Sequence, residues 1–129
     1  MPVEDLTYTW KVASHELGTK TTMSEQDAIA AHGRELAITA SGYTTPWHGR
    51  CAEAKRERSR ASLVEVTADV DVTPDGRARL KQFGIAVDPI EYRLVCQGRT
   101  TAPLLTIWVT GKRAMTCFGG VCYLLTRSS

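Results

Sequence analysis

The sequence predicts an all-β protein, an antiparallel up-and-down barrel with one or two short helical turns, built as a single domain over residues 1–129. Three observations carry this prediction. Apolar residues recur with a period of two in several short runs. Turn residues, Gly and Pro above all, separate those runs at short intervals. Closing seven or so such strands on themselves removes the unpaired edges that an open sheet would keep. At 14.2 kDa, 43% hydrophobic and 23% charged, the chain has the material for one core. The formal net charge of +2 is too small for a polybasic nucleic-acid surface. No apolar run reaches the ~18–20 residues of a membrane-spanning helix.

Each element follows from its own local signal. Leu6, Tyr8, Trp10 and Val12 alternate with Thr7, Thr9, Lys11 and Ala13, which predicts a first strand over residues 6–13 with an aromatic pair on its core face. Residues 14–19 read as a loop and 20–23 as a short second strand. Ser24 followed by Asp27 forms a capping signature for a short helix over 25–31, closed by His32-Gly33. Leu36, Ile38 and Ala40 alternate in a third strand ending at Ser41-Gly42. Residues 43–50, with Pro46, Gly49, Tyr43 and Trp47 and no period, read as an ordered loop. The run AEAKRERSRAS over 52–62 is polar and rich in helix formers, a short exposed helix or a solvated loop. Val64, Val66, Ala68, Val70 and Val72 then make the longest alternation in the chain, a half-buried antiparallel strand.

Thr73-Pro74-Asp75-Gly76 reads as a turn. Residues 77–83 are a helical turn closed by Gly84 or a strand paired back on 64–72, with the helical turn favoured. After the Asp88-Pro89 turn, Ile90, Tyr92, Leu94 and Cys96 share one face of a strand, and 98–103 form a loop. Residues 104–127 are a three-stranded meander, with Leu105, Ile107 and Val109 in its first strand and Tyr123 and Leu125 in its last. Its turns fall at Gly111-Lys112 and Gly119-Gly120.

With Gly119 and Gly120 as the loop, Phe118 faces Val121 and Cys117 faces Cys122 in a non-hydrogen-bonded pair, whose short Cα separation suits a disulfide. That leaves Cys51 to pair with Cys96. No C-x-x-C spacing supports a zinc site, so disulfides and an oxidising compartment, periplasmic or secreted, are expected. The opening MPVEDLTY has no basic or apolar signal region and reads as a mature chain with an added initiator Met.

Candidate chemistry is sparse. His15, His32 and His48 are far apart in sequence and belong to no metal-binding or catalytic motif. Asp71, Thr73, Asp75 and Gly76 match the opening of a calcium-binding loop, but Gln82 stands where its closing Glu is needed. Arg50, Lys55, Arg56, Arg58 and Arg60 form one basic cluster, which Glu53 and Glu57 would balance on a solvated helix face. No nucleophile motif or phosphate loop occurs. The expectation is therefore no catalysis, no cofactor and no metal, with Tyr43, Trp47, Tyr92 and Trp108 as the aromatics that could line a ligand site.

Trp10 in the first strand and Arg127 after the last give the layout a resemblance to small bacterial lipocalin-like (calycin) barrels, in which a late Arg stacks on the first-strand Trp to close the barrel. Tyr8 occupies the position of that family's Gly. The resemblance implies a barrel that binds a small apolar or amphipathic ligand. The alternative is a protein-binding inhibitor or immunity factor directed at an envelope enzyme such as a lysozyme. It would present the loop over 43–50 to its partner.

Overall fold

A computed structural model describes residues 6–98 and 104–128, so the loop expected at 98–103 lies, beyond Gly98, outside the described residues. Nine strands form one antiparallel sheet. In chain order they are β1 (Thr9–Leu17), β2 (Glu35–Ile38), β3 (Tyr43–Thr45), β4 (Gly49–Cys51), β5 (Ala54–Arg60), β6 (Ile90–Cys96), β7 (Leu105–Thr110), β8 (Arg113–Phe118) and β9 (Val121–Arg127). Their spatial order is β4-β3-β2-β1-β9-β8-β7-β6-β5, an up-and-down arrangement in which the first strand pairs with the last. Only Ala52 and Glu53 separate β4 from β5, so the chain passes directly from one edge of the sheet to the other. The Ala54 N–H donates to the Ser41 carbonyl at 2.7 Å, and the Cys51–Cys96 disulfide ties β4 to β6. The barrel is nearly closed.

The inner face is filled. Trp10, Leu36, Tyr92, Leu94, Ile107, Tyr123 and Leu125 are buried in one core, which also takes Ala28 from the short helix α1 (Glu25–Ile29). Ser24 caps α1 as expected, its hydroxyl accepting from the Asp27 N–H. A second core lies on the outer face of the wall. There Leu63 of α2 (Leu63–Ala68) and Leu80 of α3 (Pro74–Phe83) pack with Val72 and Ile85 against Trp108, Met115, Cys122 and Leu124. The meander is as expected, with Cys117 opposite Cys122 and bonded to it and the Gly119-Gly120 turn at positive φ.

Six expectations are corrected. The first strand runs on to Leu17 past a register shift between Val12 and Ser14, where a loop was expected, and residues 20–23 form no strand. Residues 43–51 are a hairpin, β3 paired with β4, rather than a loop. Residues 54–60 are strand rather than helix or loop, held by a seven-residue register against β6. The alternating run over 64–72 is not a strand. Leu63, Thr67 and Val70 lie four and three residues apart and are buried as a helical stripe, while Val64 is 60% exposed. The Thr73–Gly76 segment opens α3 instead of making a separate turn: the Thr73 hydroxyl accepts from the Gly76 N–H, and Pro74 sits at the first helical position. The favoured helical turn over 77–83, closed by Gly84, is present as the rest of α3.

Candidate functional site

The four expected ligand aromatics occupy three places. Tyr43 of β3 and Tyr92 of β6 are buried in the inner core, and the Arg58 guanidinium lies 6.0 Å from the Tyr92 ring centre. Trp108 of β7 belongs to the outer core, because its neighbours Ile107 and Val109 take the inward positions. Trp47, between β3 and β4, is half-buried at one end of the barrel. Trp10 and Arg127, expected to close the barrel, are directly paired across β1 and β9. The guanidinium lies over Tyr8, 4.1 Å from its ring centre, while the Trp10 indole N–H donates to the Leu6 carbonyl.

The β3–β4 and β8–β9 hairpin tips meet at one end of the barrel and build an aromatic mouth. Trp47 stacks on Tyr123 at 4.5 Å between centroids and on Phe118 at 6.1 Å. His48 meets Phe118 edge-on at 5.6 Å and Tyr43 edge-on at 6.4 Å. The His48 N–H donates to the Thr45 hydroxyl at 2.8 Å, and that oxygen lies 3.2 Å from Nδ1, so one short hairpin fixes both backbone and ring. Burial lowers the pKa of His48 below the usual imidazole value. Burial raises that of Tyr123, a hydrogen bond with Trp47 opposes the rise, and the charge of Asp27 adds to it. The Tyr123 hydroxyl also donates to the Met23 sulfur at 3.1 Å. Sequence reading missed Phe118, Tyr123 and Met23 here. The register of the Gly119-Gly120 hairpin places Phe118 beside the turn, but nothing in the sequence indicates that the tip over 46–48 folds across it.

The histidines are not all isolated. His15 Nδ1 lies 2.8 Å from His32 Nε2, and His15 Nε2 lies 2.6 Å from Glu25 Oε1. This chain escapes sequence reading because it depends on β1 running past Ala13, which puts His15 opposite Tyr123 on the inward face beneath α1. Among the described residues no three His, Cys, Asp or Glu side chains are grouped to hold a metal ion.

On the outside of the wall lies a groove of about 750 Å³ between α2 and strands β5 to β8. Trp108 and Thr106 form its floor, Val66 and Leu104 add apolar surface, and Arg60 and Arg93 stand on its rim. Glu91 organises the floor, accepting from Trp108 Nε1 at 2.9 Å, Arg93 Nε at 2.9 Å and the Ser59 hydroxyl at 3.3 Å. With both acceptor oxygens engaged, this carboxylate holds Trp108 and Arg93 in place. The lining carries charges of both signs, Glu57, Glu65, Asp69 and Glu91 beside Arg58, Arg60 and Arg93, around the apolar Trp108, which suits an amphipathic guest. No family model, curated protein or solved structure matches this chain.

Proposed function

We propose that the chain is a non-catalytic binding protein of an oxidising compartment, periplasmic or extracellular, and that it takes an amphipathic ligand on the outside of its barrel. The observation that carries this reading is the filled interior, where Trp10, Tyr92 and Tyr123 are at most 1% exposed. A lipocalin-like lumen needs room that these side chains occupy. The outer groove, at about 750 Å³, is within the ~300–1,000 Å³ range of small-molecule sites. Two disulfides support the oxidising compartment. Among the described residues no helix is long and apolar enough to cross a membrane.

Calorimetric titration with a dodecyl sulfate monomer tests the groove. Thr106→Trp, which fills the floor at a half-buried position, is expected to weaken binding at least tenfold with an unchanged melting temperature. Full binding by that variant, with loss on Trp47→Ala, would move the ligand to the aromatic mouth.

A second reading, an inhibitor of an envelope enzyme, is supported by the hairpin over 43–51. The Cys51–Cys96 bridge anchors its base, and its tip carries Trp47 and His48 beside the 37%-exposed Phe118. Inhibition of a purified lysozyme, abolished by His48→Asp but not by Thr106→Trp, would favour it.

A further inference from the structure

Strand β5 ends the sheet, and we propose that its free edge docks an extended acidic segment of a partner protein as an added antiparallel strand. The backbone phase sets the geometry. The Ala54 N–H points away from β6, to the Ser41 carbonyl, whereas the Glu53 carbonyl and the Ala61 N–H bond toward the β6 side, to Gln97 and Pro89. Backbone direction alternates along a strand, so Arg56, Arg58 and Arg60 turn their N–H and C=O groups to the free edge, and Lys55, Glu57 and Ser59 turn theirs to β6.

The same three residues share one side-chain face. The Arg56 guanidinium is engaged across the seam, donating to the Thr39 carbonyl at 2.6 Å and the Thr7 hydroxyl at 3.1 Å. Arg58 and Arg60 are exposed and have no ion-pair partner among the described residues. Each therefore offers an edge donor, an edge acceptor and a guanidinium on one residue. An incoming strand with carboxylates two residues apart matches both the ladder and the charges. A second copy of β5 does not fit, because four cations against one carboxylate over 54–60 would face their like. The site shares Arg58 and Arg60 with one border of the groove, but it rests on the backbone edge of β5 and not on a ligand in the groove.

The test uses the full chain and synthetic octapeptides that alternate Asp or Glu with Val. The parent peptide is expected to bind at low salt and to weaken at least tenfold in Arg58→Glu/Arg60→Glu, with that variant's melting temperature and far-ultraviolet spectrum unchanged. N-Methylating the ladder-facing amides of the peptide, those of its carboxylate residues opposite Arg58 and Arg60, keeps its charge and removes its donors, and is expected to cost at least tenfold. In the complex the amide protons of Arg58 and Arg60 become protected from exchange. Equal affinity for the N-methylated peptide would reduce the contact to charge alone and overturn the added strand. Absence of binding to the parent peptide at low salt would overturn the site.

Discussion

Gly18 and Gly42 are fixed by space. A Cβ on Gly18 would stand 1.8 Å from the Val70 carbonyl oxygen, and one on Gly42 would stand 2.0 Å from that of Cys51. Both obstacles are backbone and cannot swing aside. Gly18 brings the end of β1 onto the segment between α2 and α3, while Gly42 brings the β2–β3 turn onto the seam. Gly18→Ala and Gly42→Ala are each expected to destabilise by about 3 kcal/mol or to prevent folding. Gly33→Ala meets no atom within 4 Å and carries only the strain of φ +85°, about 1 kcal/mol. Urea denaturation of the three variants checks the order, and equal losses would show that close approach is not what these positions serve. His48 gives a pH dependence of definite sign. Its pKa is lowered in the fold by burial, so the unfolded chain holds more protons on this residue as pH falls through the ordinary value of 6.5. Stability contributed by neutral His48 is present above that value and is lost below it, until the folded value is passed. His48→Gln is expected to flatten this part of the stability–pH curve, and a histidine proton titration with its midpoint above 6.5 would refute the assignment.

At the scale of elements, α2 poses the sharpest question, because six residues rich in Val fold as a helix. Two periods coexist in that run. The alternating valines are visible to sequence reading, but Leu63, Thr67 and Val70 also fall on one helical stripe, and the outer face of the meander gives that stripe something to cover. The Thr67 hydroxyl, fully buried, donates to the Leu63 carbonyl one turn back at 2.7 Å, which removes the penalty of burying it. Val64 points outward, so Val64→Ala is expected to stabilise by about 0.5 kcal/mol through helix propensity. Destabilisation by that change in a denaturant titration would argue for strand. Strand β5 was illegible for the opposite reason. It lacks an apolar face because its inward positions from Arg56 onward lie at the seam and the barrel's end, where guanidinium groups reach carbonyls and water. The meander, by contrast, was legible down to the residue opposite each cysteine, since a two-residue turn fixes register. The aromatic mouth was not, because it joins hairpin tips about seventy positions apart, and no local pattern records such a meeting.

For the whole molecule, closure depends on two long-range connections of different kinds. The pairing of β1 with β9 joins the chain ends by a ladder from Trp10–Arg127 to Leu17–Val121. The seam between β4 and β5 has instead the Ala54–Ser41 bond, the Arg56 bridge and one covalent tie, Cys51–Cys96. Chain entropy separates the two disulfides. Cys117 and Cys122 are 5 residues apart and already held by a tight hairpin, whereas Cys51 and Cys96 are 45 apart and bracket β5, α2 and α3. The loop-closure relation gives about 2 kcal/mol for the short bridge and about 4 kcal/mol for the long one. In equilibrium unfolding, Cys51→Ser/Cys96→Ser is therefore expected to lose about twice the stability lost by Cys117→Ser/Cys122→Ser. It should also raise amide exchange along β3, β4 and β5 while leaving the ladder between β1 and β9 protected. The reverse ranking, or exchange spreading first from the ladder between β1 and β9, would mean that the barrel opens between its first and last strands and that the seam is its stronger side.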